Sequence, residues 1–267
     1  MTAAELHLTD PTYGKINSAG LDQPRLYALL SDPTRGNAFI QWLNPLSGEV
    51  EPALITAFID TGASGVAISH LHTAAAADYE QANLGLAASD YTGAFTEIGI
   101  GGEEVGDVTR PFGVWVRSGA PGLGEEVLPS EFVDFGDFSL WVRREAGTGE
   151  VHELLGVDPI NLIGMPVIRQ RRLLLDPTPL AGLAAMETSL LAPGASEPTT
   201  QATVSLVLRD FIGETPPPGE VLPSHYANPL VPRLTLQEGS ATVTGEWLFD
   251  TGASSSFASF AMAKPSG

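Results

Sequence analysis

The sequence has 267 residues, 43% of them hydrophobic and 17% charged, a composition that sustains a packed core and excludes global disorder. Acidic residues outnumber basic ones 32 to 13, for a net charge of −19. That balance argues against nucleic acid and anionic membrane surfaces as partners, because both need clustered Lys and Arg. It suits a protein that tolerates low pH, where protonating carboxylates relieves self-repulsion, and it equally suits simple solubility. Cysteine is absent, so no disulfide or thiolate chemistry is expected.

The 29 glycines and 21 prolines suit short strands joined by turns better than a helical bundle. Residues 1–35 read as mixed, with turn signals at Asp10-Pro11 and Asp32-Pro33. The opening Met1-Thr2-Ala3-Ala4 lacks the basic and apolar regions of a signal peptide, and no run of about 18 apolar residues predicts a membrane span. Strands are predicted at 38–43 and 53–59, a helix at 73–88, and further strands at 96–100, 113–117 and 138–143. Residues 118–130 read as an exposed loop, 161–168 and 172–176 as apolar elements, and 177–200 as a connector. A strand follows at 203–209, then a loop over 213–223 containing Pro216-Pro217-Pro218, then strands at 234–236 and 246–249.

The chain repeats itself. Ala57-Phe58-Ile59-Asp60-Thr61-Gly62-Ala63-Ser64 matches Trp247-Leu248-Phe249-Asp250-Thr251-Gly252-Ala253-Ser254, and Asn44-Pro45-Leu46 and Asn228-Pro229-Leu230 precede the two copies. A period of 190 residues predicts two related lobes, not a solenoid. In each copy an apolar strand delivers an Asp, and the Gly two residues later lets the backbone turn without a Cβ in the way. The Thr and Ser hydroxyls are donors for the carboxylate and for the loop opposite. Two such loops face to face put two carboxyls on one water. Like charges that close share one proton, so one group can act as general base while the other donates to a carbonyl. The pair titrates as a unit and neither Asp receives a fixed role.

On these residues the sequence resembles the pepsin and retropepsin clan of aspartic proteases, in a bacterial-type bilobal arrangement. The resemblance implies a mainly β, pepsin-like bilobal acid-protease fold built on β-barrels. It implies Asp60 and Asp250 as the catalytic dyad, with Thr61, Gly62, Ser64, Thr251, Gly252 and Ser254 in support. Leu162-Ile163-Gly164-Met165 is similar to the hydrophobic-hydrophobic-Gly segment that packs behind the catalytic loop. Ile98-Gly99-Ile100-Gly101-Gly102 resembles a substrate-covering flap, and Tyr91 is a second flap candidate. The implied partner is a polypeptide bound in extended form between the lobes, with no cofactor and no metal. Domain limits follow as 1–35 (extension and first strands), 36–180 (first lobe), 181–200 (linker) and 201–267 (start of a second lobe). Only 17 residues follow Asp250, against about 100 between Asp60 and Gly164. The expectation is therefore an incomplete second lobe, a fragment whose remainder supplies a half-lobe and has room for a membrane or cell-wall anchor. A secreted, periplasmic or cell-surface setting is favoured over the cytoplasm.

Other features carry less. His70-Leu71-His72 would share a strand face as metal ligands, but no third ligand is evident and a solvated pair is expected. Arg169-Gln170-Arg171-Arg172 is expected to meet local carboxylates or cover a strand edge, and Trp42, Trp115, Trp141 and Trp247 to be core. Neither Ser64 nor Ser254 lies in a nucleophile elbow, and no phosphate-binding or dinucleotide loop occurs. The expected function is an aspartic endopeptidase. The rivals are an inactive pepsin-like binding or cell-surface module, and a first lobe that works as a retropepsin-like dimer.

Overall fold

The computed structural model describes residues 24–44, 48–72, 84–99, 102–117, 127–144, 161–176, 187–195, 204–238 and 241–253. The fold is mainly β. Its centre is a closed barrel of six strands: β1 (Arg25–Asp32), β5 (Ile55–Ile59), β10 (Leu162–Ile163), β6 (Val66–Ile68), β9 (Val133–Arg143) and β8 (Gly102–Arg117), with β8 returning to β1. The closing pair is antiparallel, from Tyr27↔Arg117 to Ser31↔Gly113. β2 (Ala38–Phe39) and β7 (Tyr91–Gly99) extend the sheet at its two ends, and β3 (Gln41–Leu43) pairs with β4 (Val50–Pro52) as a separate hairpin.

The barrel closes because its staves turn apolar side chains inward at the two-residue period of a strand. β5 alternates buried and half-buried along Ile55, Thr56, Ala57, Phe58 and Ile59. Leu26, Leu30, Ile55, Ile59, Phe112, Val114, Leu140 and Ile163 fill the interior. β1 lies within the segment read as mixed, yet it is a stave paired on both sides. It escapes the alternating pattern because Leu29 and Ser31, on its other face, are buried too.

The turn after β1 is fastened by charge. Asp32 caps a 3-10 turn (Pro33–Arg35), accepting from Thr34 N at 2.9 Å and Thr34 Oγ1 at 2.7 Å, and Gly36 and Asn37 follow with φ of 67° and 60°. Arg110 forks onto both Asp32 oxygens at 2.8 Å, reaches Asp90 at 2.9 Å and lies over the Phe112 ring. Arg110 and then Thr34 hold the Asp32 carboxyl down at about 2, below its usual 3.8.

Several expectations change at this level. The strands predicted at 96–100 and 113–117 are parts of the longer β7 and β8. The predicted helix at 73–88 falls mostly on residues outside the described set, and its described end, Leu84 to Ala87, is not helical and leads into a 3-10 turn (Ala88–Asp90). The connector at 177–200 contains a strand: β12 (Glu187–Leu191) pairs antiparallel with β11 (Arg172–Asp176), and Leu173 and Leu190 rest on the barrel core. The Pro, Ala and Gly of the flanking sequence hide this short Thr-Ser-Leu-Leu strand. Of the tryptophans only Trp141 is buried; Trp42, Trp115 and Trp247 are half-buried. Arg169 and Arg171 lie over the Tyr226 and Phe135 rings, and Arg172 bonds the Ala195 carbonyl, so the basic cluster meets aromatic faces and a backbone oxygen.

The second half of the described chain builds a three-stranded sheet, β13 (Val207–Arg209), β14 (Asn228–Glu238) and β15 (Ala241–Leu248), with a register shift between Val231 and Leu234. Between β13 and β14 the loop predicted at 213–223 runs across the barrel as a strap. Ile212, Val221 and Leu222 cover Phe95, Val108 and Trp141 on its outer face. Val221 N donates to Ala94 O at 2.9 Å, Ser224 N to Ser139 O at 3.0 Å and Tyr226 N to Ser64 O at 2.8 Å. Among the described residues no helix is long and apolar enough to cross a membrane.

Candidate active site

The two Asp-Thr-Gly loops meet. Asp60 leaves β5 and Asp250 follows β15 by two residues. In each loop the carboxylate oxygen Oδ1 accepts two backbone N–H groups of its own turn. For Asp60 these are Gly62 at 2.7 Å and Ala63 at 3.0 Å; for Asp250 they are Gly252 at 2.9 Å and Ala253 at 3.1 Å. The carboxyl is thereby oriented by backbone N–H groups, and of the two tasks expected of the hydroxyls the threonines perform the one across the loops.

The threonine hydroxyls instead tie the loops together. Thr61 Oγ1 donates to Phe249 O and accepts from Thr251 N at 3.1 Å. Thr251 Oγ1 donates to Ile59 O at 2.7 Å and accepts from Thr61 N at 3.1 Å. These four bonds are reciprocal across residues 190 apart, so each loop holds the other at fixed height.

The glycines set how close the carboxyls come. A Cβ on Gly62 would fall 2.5 Å from Asp250 Cγ, and one on Gly252 would fall 2.4 Å from Asp60 Cγ. Only a residue without a side chain lets each backbone pass beneath the opposite carboxyl. Burial raises the Asp60 carboxyl, and the neighbouring Asp250 charge and its hydrogen bond add to that, to about 7 from an ordinary 3.8. Its own turn amides oppose the shift and do not reverse it. Two carboxyls that share a hydrogen bond and hold a proton toward neutral pH can bind one water between them. They can then take a proton from it and give one to an acceptor opposite.

Lobe one supports its loop from behind. β10 lies between β5, to which it is parallel, and β6, to which it is antiparallel. Ile163 O accepts Asp60 N at 3.1 Å, and Ala63 O accepts Met165 N at 3.0 Å. At Gly164 a Cβ would lie 2.0 Å from Gly65 O and 2.4 Å from Ala63 O, so this glycine is also required. A short helix, α1 (Met165–Ile168), follows with all four residues buried. Asn161, just before β10, donates to Thr56 O at 2.9 Å, accepts from Ser69 N at 2.9 Å and contacts His72 Nε2 at 3.0 Å. His72 is 2% exposed and lies in a 3-10 turn, not on a strand, so the expected solvated His pair is corrected: one member is enclosed beside Asn161. Among the described residues no group of three or more His, Cys, Asp or Glu could hold a metal.

Other predicted site residues are placed as follows. Ser64 does not reach a carboxylate; its Oγ donates to Asn228 Oδ1 at 2.6 Å. Ser254 lies outside the described residues, as do Ile100 and Gly101 of the flap candidate. The flanking Gly99 and Gly102 are the last pair of the β7–β8 hairpin, whose tip they approach. Tyr91, the second flap candidate, begins β7 at the far end of that hairpin and is half-buried against the barrel core. Burial, then Asp107 and Asp90, raise its hydroxyl above the usual range. Within the hairpin Glu97 faces Glu104, and burial followed by that neighbour pushes the Glu97 carboxyl up.

The alignment of Asn44-Pro45-Leu46 with Asn228-Pro229-Leu230 is not kept. Phe249 N donates to Pro229 O just as Ile59 N donates to Pro24 O, so β14 matches β1, and Asn44 lies beyond β3. Sequence reasoning thus missed what Asn228 and Asn161 do. The signal was available in part: each is an Asn, buried at 1% exposure, beside a run of apolar residues. Searches against protein-family models and curated proteins find no match for this chain.

Proposed function

We propose that this chain is an aspartic-type endopeptidase of pepsin-like or retropepsin-like architecture. One observation carries the reading: two identical loops, reciprocally bonded through Thr61 and Thr251, bring the Asp60 and Asp250 carboxyls face to face at a closeness that only Gly62 and Gly252 permit. The dyad removes a proton from a water, whose oxygen attacks the peptide carbonyl carbon. The protonated partner gives its proton to the carbonyl oxygen. Collapse of the tetrahedral species breaks the C–N bond: the dyad gives a proton to the leaving amine and takes one from a hydroxyl of the tetrahedral carbon, which becomes the new carboxyl, so the pair ends singly protonated as it began. The raised Asp60 favours a singly protonated pair over a wider pH span than an ordinary carboxyl would. The β7–β8 hairpin is the candidate flap, and an extended peptide fits the barrel rim by main-chain bonding. Because Asp250 of the same chain already faces Asp60, a dimer of first lobes is not needed to complete the pair. The exposed second sheet favours a second reading, a binding module without turnover.

Purified protein incubated with an unstructured protein substrate from acid to neutral pH should yield peptides, and Asp60→Asn should abolish them. Cleavage that survives in that variant sinks the mechanism. A folded wild-type chain that binds peptide and never cleaves it favours the module.

A further inference from the structure

We propose that Asn228 is a positioning residue for the Asp60 loop, set by the second sheet and acting across the lobe boundary. The inference rests on the protease reading above for its kinetic meaning. Asn228 is the first residue of β14 and is 1% exposed. Its Nδ2 donates to Thr61 O and to Gly62 O, each at 2.9 Å, and its Oδ1 accepts the Ser64 hydroxyl at 2.6 Å.

The chemistry of these partners fixes the amide. Backbone carbonyls only accept, so the NH2 end must face them, and the Ser64 hydroxyl must then donate to the oxygen. Both N–H bonds are used on two successive carbonyls of the loop that carries Asp60. The next residue closes the circuit: Pro229 O accepts Phe249 N at 2.9 Å, one residue before Asp250. A continuous path therefore runs from Asp60 through its own loop to Asn228, and from there through Pro229 and Phe249 to Asp250. It is separate from the threonine bonds and one-sided, since the amide belongs to lobe two and the carbonyls to lobe one. Tyr226 N on Ser64 O and the Gly65↔His225 bridge hold the approach to Asn228 in register.

Among uncharged side chains only Gln offers the same two donors and acceptor, on a stem one methylene longer than this buried position holds. Asn228→Ala leaves two buried carbonyls and a hydroxyl without partners. Asn228→Asp keeps the acceptor for Ser64 and replaces the donors. When protonated it can still donate to one carbonyl; when ionised it sets a negative charge against two carbonyl oxygens.

The test measures peptide hydrolysis as kcat and KM across pH for wild type, Asn228→Ala and Asn228→Asp, with thermal melts to establish folding. Asn228→Ala should lower kcat about 10- to 100-fold with KM changed far less, as expected when reacting groups are displaced and binding is not. Asn228→Asp should recover activity on the acid side and lose it as pH rises, while wild type still works. A kcat for Asn228→Ala within threefold of wild type, or an Asn228→Asp pH profile that overlays wild type, overturns the proposal. Should folded wild type cleave nothing, the protease reading fails by itself, and Asn228 is then judged by carboxyl-carbon NMR titration of Asp60. There Asn228→Ala is expected to move the Asp60 midpoint by about a unit or more, and an unmoved midpoint overturns the inference. If Asn228→Ala does not fold, the acid-rescue arm of Asn228→Asp decides it.

Discussion

Asp60 is delivered by a strand whose inward residues Ile55 and Ile59 are fully enclosed, whereas Leu248 and Phe249, which deliver Asp250, are 39% and 44% exposed. The first loop is backed by β10 and Gly164, with Ile163 O on the Asp60 amide. The described second sheet has three strands, and Leu206, Val207, Leu208 and Leu236 add to its exposed apolar surface. Yet the two turns make the same bonds to their own carboxyls and to each other. Equal geometry at the tips on unequal supports implies that the reciprocal bonds, more than either lobe's core, make the loops alike.

The largest test removes a carboxyl from each side in turn. Asp60→Asn and Asp250→Asn should each cut kcat/KM by about 10²- to 10⁴-fold, the range of lost general acid–base catalysis, despite their unequal supports. A variant that keeps a tenth of the activity breaks the symmetry. Next in size, Ile59→Ala should destabilise by about 2–5 kcal/mol in denaturant unfolding, while Phe249→Ala should cost less than about 1 kcal/mol, because only the first leaves a cavity. Equal losses would mean that residue 249 is covered in solution.

A third test uses pH. Asp60 is raised to about 7 from 3.8, so the folded state holds a proton that the unfolded state releases between those values. Stability from this group is full below 3.8 and falls as pH rises toward 7. Asp32 is lowered to about 2, so its contribution is full above 3.8 and is lost as pH falls. Taken together the two groups favour stability near pH 4. Asp60→Asn should therefore flatten the alkaline side, gaining on the order of 3 kcal/mol over wild type at neutral pH relative to the difference at pH 4. Urea unfolding at both pH values measures it, and an unchanged slope contradicts the shared proton. The smallest effect separates the hydroxyls. Thr61→Val should cost about 1–3 kcal/mol, and Thr251→Val, in the more open loop, less. The reverse order in melting temperature would show that the second loop bears more of the load.

Much of this site was legible before any coordinates. The duplicated pentapeptide, the apolar strand ahead of each copy and Leu162-Ile163-Gly164 all point to the features found, because those residue types have few other uses at that spacing. What was not legible is non-local. β1 is lost in a segment that reads as mixed because Leu29 and Ser31, on its second face, are buried as well, which erases the two-residue alternation. Asn228 looks like half of a repeated Asn-Pro-Leu, since nothing in the sequence says that its amide meets carbonyls 167 and 166 residues away. The hydroxyls were expected to serve both the carboxylate and the loop opposite; those of Thr61 and Thr251 donate to the opposite backbone, a choice fixed only when two turns face each other.

The 190-residue separation between the interlocked threonines also orders events in time. At roughly 5–20 residues per second, a ribosome finishes the second loop about 10–40 s after the first. During that interval β5 can pair with β1 and β10, but Asp60 has no carboxyl opposite it and the Thr61 hydroxyl has no distant carbonyl. Until the second loop has been made, the first stands without its counterpart, and the facing pair of carboxyls forms only once Asp250 has emerged.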